Sequence, residues 1–125
     1  MQILIIDDSA TTRGLLRRAL IQGCPDCVVR EAVDGKSAIH ELTQGKVDLI
    51  TTDLEMPGID GRRFLETLRG NPLLRRKKVL VFSSAITPEL RQSFSDNPNV
   101  AFLDKPASLD AIARAVQSLA DTIAA

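Results

Sequence analysis

The sequence predicts an α/β fold in which helices cover both faces of a parallel sheet. Short apolar runs alternate with amphipathic stretches five times along the 125 residues. The runs lack polar alternation, as strands buried on both faces do. Five strand–helix units in series give a doubly wound parallel sheet, (βα)5, in three layers. The length suits a single domain over residues 1–125 with a core of useful size.

Gln2-Ile3-Leu4-Ile5-Ile6 reads as the first strand. The first helix is expected over 9–22, with Ser9 as its cap and Leu15, Leu16, Ala19 and Leu20 on one face. Val28 to Ala32 makes a second strand, and its charged Arg30 and Glu31 place it at the sheet edge. Asp34-Gly35 turns into the second helix, with Ala38, Ile39 and Leu42 inward and Gly45 as its stop. The third strand is 47–52. Met56-Pro57-Gly58-Ile59-Asp60-Gly61 is a turn-rich loop. A third helix follows near 60–69, burying Phe64, Leu65 and Leu68, and the fourth strand is 78–82. Thr87 caps the fourth helix, with Pro88 in its first position. That helix has the weakest apolar side, little more than Leu90 and Phe94, and Ser95-Asp96-Asn97-Pro98 ends it. The fifth strand is 99–103. Pro106 or Ser108 starts the fifth helix, whose Leu109, Ile112, Ala113, Val116, Leu119, Ala120 and Ile123 form a long stripe.

The bulk numbers exclude some functions. Lys plus Arg number 16, as do Asp plus Glu, so the chain is not a generally basic nucleic-acid binder. Arg75-Arg76-Lys77-Lys78 reads as a solvated approach to the fourth strand. Four Phe with no Tyr and no Trp leave no aromatic platform for single-stranded nucleic acid. No apolar run approaches a membrane span, and the start lacks a basic signal region, so a cytoplasmic location is expected. Cys24 and Cys27 have the spacing of a redox dithiol. They follow a helix instead of opening one, the wrong place for a lowered thiol pKa, and so read as two ordinary thiols.

The residues that end the strands carry the chemistry. Asp7 and Asp8 follow the first, Asp53 the third, Ser83 the fourth and Lys105 the fifth. In a parallel sheet these ends converge on one edge, where ligands bind. One Asp before a helix is often only a cap. Three carboxylates at one edge repel each other and call for a cation. Mg2+ suits them, because it is oxygen-seeking and needs only one or two direct carboxylates plus waters. Such a site serves attack by a carboxylate on phosphorus, giving an acyl phosphate. Asp8 and Asp7 then hold the metal, Lys105 and Ser83 take phosphoryl oxygens, and Asp53 attacks.

With Asp7-Asp8, Asp53, the Met56 to Gly61 loop, Ser83-Ser84-Ala85 and Lys105-Pro106 at successive strand ends, the chain resembles a bacterial response-regulator receiver domain of the chemotaxis-regulator type. The resemblance spans residues 1–123. It implies a flavodoxin-like sandwich with strand order 2-1-3-4-5. It implies Asp53 as phosphoacceptor from a histidine kinase's phosphohistidine. Asp8, Asp53 and the backbone carbonyl of Glu55 become direct Mg2+ ligands, and Asp7 acts through a metal-bound water. Ser83, Ser84 and Lys105 bind the phosphoryl group, with Ser83 and Phe102 as switch residues. Glu55 and Ala85 fall at positions that tune dephosphorylation. Lys105-Pro106 matches a cis peptide of relatives.

Phosphorylation is then expected to pull Ser83 toward the phosphoryl group and let Phe102 move inward behind it, reshaping the face of the fourth helix, fifth strand and fifth helix. Arg91, Phe94, Asn99, Asp104, Asp110, Arg114 and Gln117 are the candidates for that partner face. The first helix near Thr11, Thr12 and Leu15 would dock the kinase. The implied partners are a histidine kinase and a downstream target or output domain, with a phosphorylation-dependent homodimer left open.

Two other readings stay open. One is a Mg2+-dependent aspartyl-phosphate phosphatase or phosphotransferase, in which Glu55, two residues past Asp53, would be the general acid. The chain has no insertion to build the substrate pocket such an enzyme needs. The other is a phosphorylation-independent binding module, whose mark would be loss of one acid or the lysine. Glu55 itself reads as a solvated carboxylate, as charge beside the acyl phosphate, or as a resting partner of Lys105.

Overall fold

The computed structural model describes residues 1–72 and 74–122. In chain order the elements are β1 (Gln2–Ile6), α1 (Ala10–Gly23), β2 (Val28–Ala32), α2 (Gly35–Gln44), β3 (Leu49–Thr52), β4 (Glu55–Met56), β5 (Ile59–Asp60), α3 (Gly61–Gly70), β6 (Lys78–Ser83), α4 (Pro88–Ser93), β7 (Val100–Asp104) and α5 (Leu109–Ala120). The main sheet is parallel and runs β2-β1-β3-β6-β7. Counting only its own five strands, that is the expected order 2-1-3-4-5. Strands β4 and β5 form a separate antiparallel hairpin inside the loop read as turns alone.

Strand pleating sorts the core into two layers. Ile3 and Ile5 pack with Leu16, Leu20 and Ile112 under α1 and α5. Leu4 and Ile6 pack with Ala38, Phe64, Leu65 and Leu90 under α2, α3 and α4. All four strand residues are at most 1% exposed, and each such burial contributes ~2 kcal/mol. The chain reverses its winding between β1 and β3, so the carboxyl ends of these two strands open a crevice.

Local chemistry sets the boundaries. Ser9, Thr87 and Ser108 cap α1, α4 and α5, accepting from the amides of Thr12, Leu90 and Ala111. Asp34 and Ser37 form a reciprocal capping box on α2. Gly58 turns the β4–β5 hairpin at φ +73°. Gly61 lies against Leu54, where a Cβ would fall 2.5 Å from the Leu54 Cα. That close approach folds the start of α3 onto the segment after Asp53.

Several expectations are corrected. Ile39, read as inward, is 57% exposed, because α2 presents Ala38 to the sheet instead. Strand β3 begins at Leu49, two residues late, because Asp48 is spent on Gln2: it donates to the Gln2 carbonyl, and its carboxylate accepts from the Gln2 amide. Cys24 and Cys27 are not free thiols; the turn ending α1 brings their Cα atoms to 5.5 Å and they form a disulfide. Lys77 and Lys78 are not simply solvated, since their ammonium groups donate to the Val47 and Ala120 carbonyls at 2.6 Å each. Among the apolar stripe of α5, Ile123 lies outside the described residues.

Candidate functional site

Asp7 leaves the end of β1 with 1% exposure. Its amide donates to the Ala32 carbonyl on the edge strand β2. One carboxylate oxygen accepts from the Ser9 amide at 2.9 Å, and the other accepts from Lys105 Nζ at 2.9 Å. Asp8, the next residue, is exposed and has no side-chain partner among the described residues. Asp53 follows β3 and is 8% exposed. Its Oδ1 accepts from the Ser83 hydroxyl at 2.6 Å and from the amides of Leu54 and Glu55 at 2.6 and 3.1 Å. Its Oδ2 accepts from Lys105 Nζ at 2.8 Å.

Lys105 thus bridges the two buried acids from the end of β7. Its chain crosses the Phe82 ring, 5.5 Å from ammonium to centroid, and the Lys105–Pro106 peptide is cis. Burial pushes the Asp53 carboxyl up, but the hydrogen bonds from Lys105, Ser83 and the Glu55 amide outweigh it and hold the group below the usual Asp range. Burial likewise pushes Lys105 down, and its bonds to Asp53 and Asp7 carry it above the usual Lys value. The ion pair is therefore formed at neutral pH.

Carboxylate oxygens of Asp7, Asp8 and Asp53 lie within 4.8 Å of one another. Oxygen-only ligands, one of them exposed and unpaired, fit a hard divalent cation that keeps several waters. The donor set therefore can hold a metal, with Asp8 the acid free to bind it directly.

The other expected site residues divide into those the fold brings in and those it does not. Ser83 is fully buried and already donates to Asp53, while its oxygen accepts from the Ala85 amide at 3.1 Å. The hydroxyl already contacts Asp53, so the expected draw toward a phosphoryl group on that residue has little distance left to cover. Ser84 is exposed. Glu55 is exposed too and does not pair with Lys105, whose ammonium is taken by Asp7 and Asp53. Phe102 is half-buried on β7, its ring 6.3 Å from that of Phe94, with the Arg91 guanidinium 5.4 Å above it.

The expected partner face is smaller than read. Arg91, Asp104, Asp110 and Arg114 are exposed, and Arg91 pairs with Asp104 at 3.0 Å. Phe94 and Asn99 are corrections: at 4% and 3% exposure they are core. Because α4 lasts only six residues, Phe94 anchors its end by turning inward, and Asn99 is covered where the chain enters β7. Gln117 borders the cleft between α1 and α5 beside Cys24 and Ala19, so it faces α1. Thr11 is exposed, and Thr12 and Leu15 are half-buried on α1.

Sequence reasoning missed Arg13. From the first turns of α1, its Nη1 donates to the Asp7 carbonyl at 2.8 Å, and its Nε donates to Glu31 on β2 at 2.9 Å. Arg17 grips the other Glu31 oxygen at 2.7 Å. The Arg17 hydrogen bond, then that of Arg13, hold the Glu31 carboxyl below its usual range against the effect of burial. No motif marks Arg13; only the short step from Asp7 into a helix that doubles back over β1 hints at the contact.

The fold recurs in solved signal receivers. The receiver domain of a DNA-binding response regulator from Colwellia psychrerythraea superposes with a TM-score of 0.84 at 22% identity, covering 98% of this chain and 99% of that one. A chemotaxis response regulator of Vibrio cholerae gives 0.79 at 23% identity over 94% and 97%. At those identities the likeness is one of fold. The family follows from the sequence: residues 3–117 match the response regulator receiver domain, and the chain belongs to that family, the receivers of two-component signalling.

Among curated proteins, it is 32% identical over 123 residues to a gliding motility regulatory protein of Myxococcus xanthus, covering 95% of this chain and 15% of that protein. It is 30% identical over 106 residues to a cyclic di-GMP phosphodiesterase response regulator of Xanthomonas campestris, covering 85% and 28%. The chain therefore spans less than a third of the length of these two relatives. Among the described residues, no helix is long and apolar enough to cross a membrane.

Proposed function

We propose that Asp53 is the phosphoacceptor of this receiver and that Mg2+ is its cofactor. The observation that carries this is the Asp53 carboxylate itself: buried, ionised, and held by Lys105 and Ser83 beside two further acids. Oδ1 has three donors and Oδ2 only Lys105, so Oδ2 is the freer oxygen to attack. Attack forms an oxygen–phosphorus bond and breaks the bond from phosphorus to the donor's leaving group, histidine nitrogen or acetate oxygen. Lys105 and the Ser83 hydroxyl then face the transferred oxygens, with the exposed Ser84 at the rim. Asp8, Asp53 and the Glu55 carbonyl would hold the metal, and Asp7 would act through a bound water. The cation supplies charge neutralisation for the phosphoryl oxygens.

The partners in this reading are a histidine kinase, docking near Thr11, Thr12 and Leu15, and a downstream target or output domain. A phosphorylation-dependent second copy belongs to the same reading. Residues 1–125 act as one receiver unit, in the cytoplasm. Incubation with acetyl phosphate and Mg2+ tests the core of the proposal: intact mass should rise by one phosphoryl group per chain, mapped to Asp53. No mass gain, or turnover of many donors without a labelled chain, would defeat it.

Asp8 provides a second expected outcome. It adds charge to a cluster whose one ammonium is already shared by Asp7 and Asp53. Asp8→Asn should raise metal-free stability at low salt by roughly 0.5–1 kcal/mol, the scale of an exposed charge interaction. The same substitution should weaken Mg2+ binding more than Asp7→Asn does. Denaturant melts in chelator and a Mg2+ titration measure both; a less stable variant, or equal loss of Mg2+ binding, contradicts the division of roles.

The output surface in this reading is α4, β7 and the α4 side of α5. Helix α4 is six residues long and anchored mainly by Leu90 and Phe94, so it should move at low cost. With Ser83 already engaged, the motion should begin at Phe102 and the Arg91–Asp104 pair above it. Amide chemical shifts with beryllofluoride, a phosphoryl mimic, should change most over residues 84–104. Shifts confined to the Asp53 loop would rule out this route.

A further inference from the structure

We propose that Arg13 is a positioning residue for the cation-binding acid Asp8, acting through the peptide that joins Asp7 to Asp8. The inference rests on the metal-dependent reading above. It starts from a gap in the site. Asp7 is fixed on every polar atom: its amide by Ala32, its carboxylate by Ser9 and Lys105, its carbonyl by Arg13. The Asp8 side chain has no such partner among the described residues. Only the backbone can aim it.

That backbone is the Asp7–Asp8 peptide. Its carbonyl and the Asp8 amide share one plane. Holding the carbonyl therefore fixes the plane from which Asp8 leaves the chain, and narrows the directions open to its carboxylate. Arg13 Nη1 holds the carbonyl at 2.8 Å. The guanidinium is itself held: Nε donates to Glu31 at 2.9 Å, Arg17 pairs with the same carboxylate, and the Arg13 side chain is 17% exposed. A planar fork that bonds a carbonyl and a carboxylate at once cannot rotate freely, which a lysine in the same place could do. The result is a strut from α1 and β2 onto the turn that presents Asp8.

Charge alone predicts the opposite sign. A guanidinium near the acids repels an incoming divalent cation, so its removal would tighten metal binding if charge were all it supplied. Positioning predicts weaker binding. The two accounts separate on one measurement.

The experiment is a titration of the purified chain with Mg2+ alone, followed by amide chemical shifts, for the unsubstituted protein, Arg13→Ala, Arg13→Lys and Glu31→Gln. Arg13→Ala should weaken Mg2+ binding about tenfold, the low end for groups that orient metal ligands. Arg13→Lys keeps the charge and one donor, and should recover part of the loss. Glu31→Gln leaves Arg13 intact but loosens its grip, and should fall between. In the metal-free chain the Asp8 and Ser9 amides should shift in each variant while β3 and β6 stay unchanged, which also shows that the variants fold. With acetyl phosphate, half-maximal labelling of Asp53 should need more Mg2+ in Arg13→Ala, with the limiting rate kept within about twofold.

Unchanged or tighter Mg2+ binding in Arg13→Ala, with Asp53 still labelled, overturns the inference. Weaker binding in a chain whose Asp53 is never labelled supports the strut and sinks the phosphoacceptor reading instead.

Discussion

Asp53→Asn should stop phosphoryl uptake from acetyl phosphate, with a fall on the order of 10³-fold or more, about 4 kcal/mol of transition-state stabilisation. An amide oxygen carries no charge to attack with, and its carbon cannot give an acyl phosphate. The substitution is otherwise mild. The Asn oxygen can still accept from Ser83, Leu54 and Glu55, as Oδ1 does now. Lys105 loses one acceptor but keeps Asp7 at 2.9 Å. The variant should therefore stay folded and still bind Mg2+ through Asp8, weakly. Intact mass spectrometry over a time course measures the effect. If the variant gains a phosphoryl group at a similar rate on Asp7 or Asp8, Asp53 is not the acceptor.

Lys105→Met should have the largest effect on stability. Lys105 is the one cation paired with Asp7 and Asp53 among the described residues, and Asp7 is 1% exposed. Removing it leaves two buried carboxylates without a cation, at a cost of about 3–5 kcal/mol in metal-free buffer near neutral pH. Mg2+ should restore much of that, because a divalent cation replaces the missing charge.

The pH dependence should change sign. In the unsubstituted chain the Asp53 carboxyl is held below its usual pKa. Its contribution is fully present above about 3.9, the unfolded value, and is lost as pH falls through the lower folded value. The raised Lys105 contribution is present below its unfolded pKa and is lost only as pH rises through the higher folded value. In Lys105→Met the Asp53 carboxyl keeps the burial that pushes it up and loses the Lys105 hydrogen bond that pulls it down. Its folded pKa rises, so the variant should gain stability relative to neutral pH as the solution is acidified toward the ordinary carboxylate range. Urea melts at several pH values, with chelator and with Mg2+, measure this. A variant as stable as the original in chelator at neutral pH would show that the ion pairs contribute nothing. Phosphoryl uptake should slow as well, since Lys105 faces the transferred oxygens.

The reasons some features were readable without coordinates are specific. A strand buried on both faces is mostly apolar, so its charged and most of its polar residues fall where the strand leaves the core, with the buried Thr51 of β3 an exception. That is why Asp7, Asp53, Ser83 and Lys105 stand out as strand-end residues, and each lies at the crevice or lines it. The caps Ser9, Thr87 and Ser108 were readable for a similar reason: helix starts need local acceptors, and the need is met within three residues.

What the sequence by itself determined is thus the five strand–helix units, their caps, and the acids, hydroxyl and ammonium that the strand ends deliver to one edge. Tertiary structure decided the rest, because those features depend on what comes to lie opposite. Periodicity put Ile39 inward, and packing reversed it, because α2 turns Ala38 to the sheet; Phe94, read both as the apolar side of the fourth helix and as partner face, is buried as the anchor of a six-residue α4. The Cys24–Cys27 disulfide needed the turn that closes their Cα atoms to 5.5 Å, which spacing does not specify. Arg13 reaches the Asp7 carbonyl only because α1 folds back over β1 and sets it beside Glu31 of β2. A one-dimensional pattern records which residues avoid water; it does not record which buried or half-buried groups meet, and that meeting decides how Lys105, Ser83 and Arg13 hold the acids in place.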